Sequence, residues 1–443
     1  MHIIDDSKEC ELETTRNNKG YRRYKRGAFK RDACTSCGIC FANCPSIHLS
    51  VPDAKKAIDE LAKMLENIDG LDGPAGKILA GCTTCMACNV ACPNDCRPTN
   101  LIQDIWYAAY KKGGLPIRAE YFVHHNPVNY RTYVIEHLPD QERRLVESWK
   151  NLAPVDEILY PGCTILTMPY LLLAKRDGGL VPSKLFEGMV ARGSIDNCCG
   201  ETYFRSGLFD VVEQVAKRAT HYFRDILKVK KVVCICNACG DVFANILPQF
   251  GAELENIEFV PYIKVLHDKL KSGELPIVKS FKGKTITIQE ACHAKIYEEN
   301  YYDYPRNILK MLGFEIIEAK QYGDSNICCG IGYGFSRASS YSKLAIIKGS
   351  TSCLKNAVST KADIACTYCA GCQAMLSVAK LFRWTRKPVY YITELVQLAI
   401  GEVPVGRHGP TARSYNAGAN LKQKRGKQMF FVPDISSLPH SKF

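Results

Sequence analysis

Cys34, Cys37, Cys40 and Cys44 stand three, three and four residues apart and are followed by Pro45; Cys82, Cys85, Cys88 and Cys92, followed by Pro93, repeat that spacing without deviation. No other feature restricts the local fold so tightly. Three cysteines this close share one tight loop. Three thiolates on one loop wrap three corners of a cubane, and the fourth corner needs a ligand from elsewhere. In two-cluster modules of this spacing, the fourth cysteine of each run serves the other cluster. The spacing therefore predicts one [4Fe–4S] cubane on Cys34, Cys37, Cys40 and Cys92, and a second on Cys82, Cys85, Cys88 and Cys44. Zinc would need four ligands per site, but it gives no reason for a third cysteine at this step or for a closing Cys-Pro.

The chain has 23 cysteines among 443 residues. The opening MHIIDDSKEC carries no apolar signal, and no apolar run approaches the roughly 18 residues of a membrane span. The expectation is a reducing, cytoplasmic setting, where thiols bind metal or do redox work rather than staple a fold. The net charge of +13 is uneven. Residues 16–31 hold +8 and residues 404–443 hold +6, which leaves the body near neutral. That argues against a broad nucleic-acid-binding face. It suits terminal segments that touch an acidic partner, or the inner face of the cytoplasmic membrane as a peripheral protein. His124 and His125, before Asn126-Pro127, read as structural.

From about residue 156 short apolar runs alternate with helical stretches. EILYPGC (157–163), KKVVCIC (230–236), KTITIQEAC (284–292) and KADIAC (361–366) read as buried strands, and residues 208–227 as a helix. Cys163 to Cys292 is a shift of 129 residues, Cys198 to Cys328 of 130 and Cys239 to Cys372 of 133. So constant a shift indicates two copies of one α/β unit, expected to pair about a pseudo-twofold axis. The expected architecture is α+β and multi-domain. It comprises a basic N-terminal extension (1–30), a helical two-cluster domain (31–110), a linker (111–155), two repeats (156–275 and 276–401) and a basic C-terminal tail (402–443) without helical or strand period.

Each repeat has its own cysteine order. The first reads Cys163, then Cys198-Cys199-Gly200, then Cys236 and Cys239. The second reads Cys292, then Cys328-Cys329-Gly330, then a terminal pair. For that pair, spacing favours Cys366 with Cys369, whereas context favours Cys369 with Cys372, because CAGCQAML leads into a helix as CNACGDVF does; the reading takes Cys369 and Cys372. Five thiols per repeat exceed what one tetrahedral ion or one cubane uses. Adjacent cysteines suit neighbouring irons of an irregular cluster. Gly200 and Gly330 are expected to clear space for its core. GIGYG (330–334) lacks the six-residue dinucleotide fingerprint, so no flavin or nicotinamide site is read here.

This order, a ferredoxin-type pair followed by two CCG motifs, resembles the heterodisulfide reductase D-type family of CCG-domain iron–sulfur proteins. The phrases GCTTC (81–85), HNP (125–127), PGCT (161–164), CCGETYFRSG (198–207), ACH (291–293) and ITELV (392–396) carry the likeness. Anaerobic glycerol-3-phosphate dehydrogenase C subunits, glycolate oxidase iron–sulfur subunits and Hmc-type complex subunits share the layout. The resemblance implies an anaerobic oxidoreductase subunit with two cubanes and two noncubane [4Fe–4S]-type clusters, and a disulfide reduced between the latter. It departs from the family where EACHAK replaces the usual Asp-Pro before Cys-His. Arg205 is the candidate for holding a substrate anion and His293 for protonating a leaving thiolate. Electrons would come from a cytochrome b-type or flavoprotein partner. The competing reading is a relay between a flavoprotein dehydrogenase and cytochrome b or quinone. Cys10, Cys96, Cys234, Cys353 and Cys366 are left over as free thiols.

Overall fold

The computed structural model of the chain describes residues 28–64, 73–111, 130–334 and 343–419. Most of the basic N-terminal stretch, His124 and His125, and the basic stretch beyond residue 419 lie outside the described residues.

In helix α1 (Val51–Met64), Ala54, Ala57, Ile58 and Leu61 are buried, the i, i+3, i+4, i+7 stripe of an amphipathic helix. Ser50 caps it: its Oγ accepts from the Asp53 amide at 3.2 Å and donates to the Asp53 carboxylate at 2.8 Å. Helices α2 (Gly73–Gly81) and α3 (Pro98–Lys111) close a core of their own over Phe41, Ile58, Ile78, Leu79, Ile105 and Trp106. Proline at the first position of α3 costs no hydrogen bond. The same helix joins this module to the first repeat: Gln103 Nε2 donates to the Phe204 carbonyl at 2.8 Å, and the Tyr107 hydroxyl donates to Asp210 at 2.5 Å.

The linker forms α4 (Tyr130–Glu136) and α5 (Asp140–Ser148). Next come β1 (Glu157–Tyr160), a hairpin of β2 (Leu173–Arg176) and β3 (Gly179–Pro182), helix α6 (Phe209–Thr220), β4 (Lys231–Cys234), β5 (Glu258–Pro261) and α7 (Tyr262–Lys271). The second repeat runs through β6 (Thr285–Gln289), α8 (Asp303–Met311), β7 (Glu315–Ile316), α9 (Lys343–Val358), β8 (Ile364–Thr367), α10 (Ala370–Phe382), β9 (Val389–Tyr391) and α11 (Ile392–Ala399).

Strands β1-β4-β5 form one parallel sheet and β7-β6-β8-β9 another. The order first-second-third of the smaller sheet recurs in β6-β8-β9. The strands are apolar almost throughout, Ile158, Leu159, Val232, Val233, Ile286 and Ile288 being buried, as parallel strands covered on both faces must be. Each of the four runs read as strands from sequence coincides with one, β8 running one residue past its run.

The chain does not end its order at residue 401. Strand β10 (Val403–Pro404) adds to the hairpin, with Pro404 opposite Ala174, and α12 (His408–Gly418) packs against α10 and α4. Over residues 403–418 this corrects the expectation of a tail without helix or strand from residue 402. The buried positions of α12 are Thr411, Ala412, Tyr415 and Gly418. These are small or amphipathic residues that give no hydrophobic period, so packing rather than propensity makes this helix.

Candidate functional site

In an open parallel sheet, the space beyond the carboxyl ends of the strands is where loops converge on ligands. The repeat cysteines stand there. Cys163 follows β1 and Cys292 follows β6, each at the third position after the strand; Cys236 follows β4 and Cys369 follows β8, each at the second. Cys239 and Cys372 sit one turn into the helices that begin after Cys236 and Cys369.

In the first repeat the thiols adjoin one another in a chain, Cys163–Cys198–Cys199–Cys239–Cys236. In the second the chain is Cys292–Cys328–Cys329–Cys372–Cys369. The connections have the same order. Cys366 is not part of the second chain: it lies within β8, opposite Ile288, with Glu290 and Arg306 as its electrostatic neighbours. Cys234, at the end of β4, and Cys353, in α9, are likewise buried outside the chains.

The chemistry of this donor set fits a polynuclear cationic group. Hydrogen bonding to Cys198 and burial hold the Cys163 thiol well above its ordinary range, and contact with Cys199 and Cys236, then burial, does the same to Cys239. Five adjoining thiols, all buried except the half-buried Cys163, do not ionise together unless bound metal offsets their charge. Among the described residues, no three His, Cys, Asp or Glu side chains are arranged to hold a single metal ion. All 22 described cysteines are free thiols.

The N-terminal runs show a cradle of another kind. Ser36 (φ 51°) and Gly38 (φ 77°) lie two and four residues after Cys34; Thr84 (φ 48°) and Met86 (φ 64°) lie two and four residues after Cys82. Left-handed backbone at three non-glycine residues is costly, and its recurrence at matched positions marks two loops bent around something. The Thr84 amide donates to Cys82 Sγ at 3.3 Å and the Cys96 amide to Cys92 Sγ at 3.2 Å. Burial, then the Cys85 charge, pushes the Cys44 thiol up to about 11. Burial, then Cys88, Cys92 and Cys34, raises Cys40. The fourth cysteine of each run thus lies among the cysteines of the other. Cys96, read as a left-over free thiol, lies beside Cys92 and Cys34.

Arg205 does not face an open anion site. It is buried: Nε donates to Thr84 Oγ1 at 2.7 Å, Nη1 to Glu201 at 2.7 Å and Nη2 to the Thr83 carbonyl. It ties the 82–85 loop to the first repeat. Burial disfavours its charge, but Glu201, Cys292 and Cys328 hold it protonated. Tyr333 makes a second bridge, with its hydroxyl on Ser46 and with Cys328, Cys44 and Cys85 as electrostatic neighbours. The second thiol chain therefore abuts the N-terminal cysteine loops.

His293 is also turned away from open space. Its Nδ1 lies 3.2 Å from Asp241 and its Nε2 lies 3.1 Å from Glu201, so a ring from the second repeat is clasped by two carboxylates of the first. Both nitrogens are engaged, and the ring fastens the second repeat to the first.

Sequence reasoning missed Arg131. This buried linker arginine stacks 4.4 Å from the Tyr130 ring and has Cys163 and Cys198 as electrostatic neighbours, as Arg205 has Cys292 and Cys328. Nothing in its local sequence signals this; only the packing of α4 does. The role expected of Gly200 and Gly330 also changes. A Cβ on Gly200 would meet Val215 at 3.0 Å, and one on Gly330 would meet the Ser350 amide at 2.4 Å, so these glycines make room for helices. The glycine that clears a thiol is Gly162, whose Cβ would stand 2.9 Å from Cys239 Sγ.

Residues 30–96 match the 4Fe-4S dicluster domain, and residues 158–244 and 286–377 each match the cysteine-rich domain of the CCG type. The chain is 25% identical over 402 residues to the D subunit of the dihydromethanophenazine:CoB–CoM heterodisulfide reductase of Methanosarcina mazei, a match that covers 84% of this chain and 94% of that protein. It is 25% identical to the B subunit of the fumarate reductase (CoM/CoB) of Methanothermobacter marburgensis, over 69% of this chain and 60% of that one. It is 24% identical to the EtfAB:quinone oxidoreductase of Syntrophomonas wolfei, over 68% of this chain and 48% of that one.

Proposed function

We propose that this chain, a relative of heterodisulfide reductase D subunits over most of its length, is an iron–sulfur oxidoreductase subunit that reduces a disulfide to two thiols. The observation that carries the reading is the pair of complete five-thiol chains, identical in order, at the carboxyl ends of two like sheets. A relay alone would need neither the second chain nor the surplus thiols of each.

Cys34, Cys37, Cys40 and Cys92, with Cys82, Cys85, Cys88 and Cys44, would hold two cubanes. Cys163, Cys198, Cys199, Cys236 and Cys239, with Cys292, Cys328, Cys329, Cys369 and Cys372, would hold two noncubane clusters. When bound, such clusters pass single electrons and offer iron to a thiolate sulfur. Disulfide reduction takes two electrons and two protons, breaks one S–S bond and yields two thiols. The chain's own residues shape that chemistry. Arg205 holds the 82–85 loop, with Cys292 and Cys328 as its electrostatic neighbours, and Tyr333 on Ser46 stands between Cys328 and Cys44 and Cys85, so electrons from a cytochrome b-type or flavoprotein partner would pass from the N-terminal cysteines to the second thiol chain. Burial of Cys198, Cys199, Cys328 and Cys329 excludes water. Arg131 and Arg205 set one guanidinium beside each thiol chain and offset negative charge there.

Anaerobically purified protein, supplied with electrons by a reduced low-potential dye, should oxidise the dye only when a disulfide is added. Cys372→Ser should abolish this and lower the iron content, whereas Cys366→Ser should leave both unchanged. Dye oxidation by quinone or flavoprotein, with no response to any disulfide, would favour the relay reading.

A further inference from the structure

Helix α10 ends in an exposed hook. Residues 378–387 read VAKLFRWTRK and contain four cations, Lys380, Arg383, Arg386 and Lys387, and no acid. Trp384 is 77% exposed, Phe382 47% and Leu381 39%. The other two tryptophans, Trp106 and Trp149, are buried. The hook is built rather than frayed. The Arg383 amide donates to the Ala379 carbonyl at 2.9 Å, and Lys387 Nζ donates to the Thr360 carbonyl at 2.8 Å and to its hydroxyl at 3.2 Å. The Arg386 guanidinium lies 5.2 Å from the Trp384 ring centre. Phe382 also lines an apolar groove that runs along α10 past Gly371, Ala374, Met375 and Val378, so the exposed apolar surface continues inward from the hook.

An apolar tip ringed by cations has a specific complement. Tryptophan and phenylalanine favour the boundary between lipid headgroups and acyl chains, and clustered lysine and arginine add attraction to an anionic leaflet. The near-neutral body makes this charge local rather than part of a general basic field. We infer that the 380–387 hook anchors the protein peripherally on a bilayer containing anionic lipid. Leu381, Phe382 and Trp384 enter the headgroup boundary, and Lys380, Arg383 and Arg386 meet lipid phosphates. Among the described residues, no helix is long and apolar enough to cross a membrane, so the contact is with the surface. The inference is independent of the disulfide reading.

The test is flotation of the full-length, cluster-loaded protein with phosphatidylcholine vesicles, with and without phosphatidylglycerol. Wild type should float with the anionic vesicles only, and brominated lipid should quench its exposed tryptophan. The pair Phe382→Ala/Trp384→Ala, which leaves every charge in place, should weaken binding at least about tenfold. Arg383→Gln/Arg386→Gln should do the same. Iron content should be unchanged in both. Absence of wild-type flotation overturns the inference, and a partner subunit then becomes the better occupant. Unaltered flotation of Phe382→Ala/Trp384→Ala overturns it too, because the basic termini would then suffice.

Discussion

At the scale of single residues, the site is held by side chains whose partners lie far away in sequence. Arg205 is the clearest case. Replacing it by alanine breaks the buried Arg205–Glu201 pair, leaves Glu201 with His293 as its remaining partner and takes one of two donors from the Thr83 carbonyl, and breaking a buried pair costs about 3–5 kcal/mol. Arg205→Ala should lower the thermal midpoint and raise amide exchange across residues 82–86. Arg205→Lys should recover little, since one ammonium cannot serve Thr83, Thr84 and Glu201 together. The glycines give a graded test. Gly330 and Gly200 both have positive φ, 104° and 79°, and an L side chain at such a φ costs about 1–2 kcal/mol. A Cβ at Gly330 meets backbone, whereas one at Gly200 meets a valine side chain that can shift. Gly330→Ala should therefore lower the thermal midpoint more than Gly200→Ala, by the further 1–3 kcal/mol or so of an overpacked core.

At the scale of elements, what could be read in the sequence depends on how local each signal is. The strands that hold the cysteines announce themselves as apolar runs, because a parallel strand is buried on both faces. The cysteine spacing places the thiols at the strand ends, and the helix that begins within CAGCQAML ranks Cys372 above Cys366. Helix α12 was not legible, because Thr411, Ala412 and Tyr415 take their helical state from α10 and α4. The roles of Arg205 and His293 were not legible either, because their partners come from other modules. Arg407, in the segment expected to be a tail without helical or strand period, pairs at 2.5 Å with Glu142 of α5, whose side chain is wholly buried. Arg407→Ala should cost about 3 kcal/mol in denaturant unfolding by stranding that carboxylate. The double variant Arg407→Met/Glu142→Leu should regain most of it. A double variant as unstable as Arg407→Ala would show that the ion pair is not what binds α12 to the linker.

At the scale of the whole molecule, three parts meet. The N-terminal module is tied to the first repeat by Arg205 on its 82–85 loop and to the second by Tyr333 on Ser46, His293 of the second repeat reaches between Glu201 and Asp241 of the first, and α12, beyond the second repeat, packs back on the linker helix α4. The central claim is that two thiol chains hold two clusters that meet one disulfide. Its most direct measurement is iron and sulfide analysis of anaerobically purified protein, followed by EPR after oxidation with and without added thiol. The account predicts about 16 irons per chain, four for each of four clusters, and a new paramagnetic signal when thiol is added that disappears in Cys372→Ser. A protein with about 8 irons and no thiol-dependent signal would contradict it.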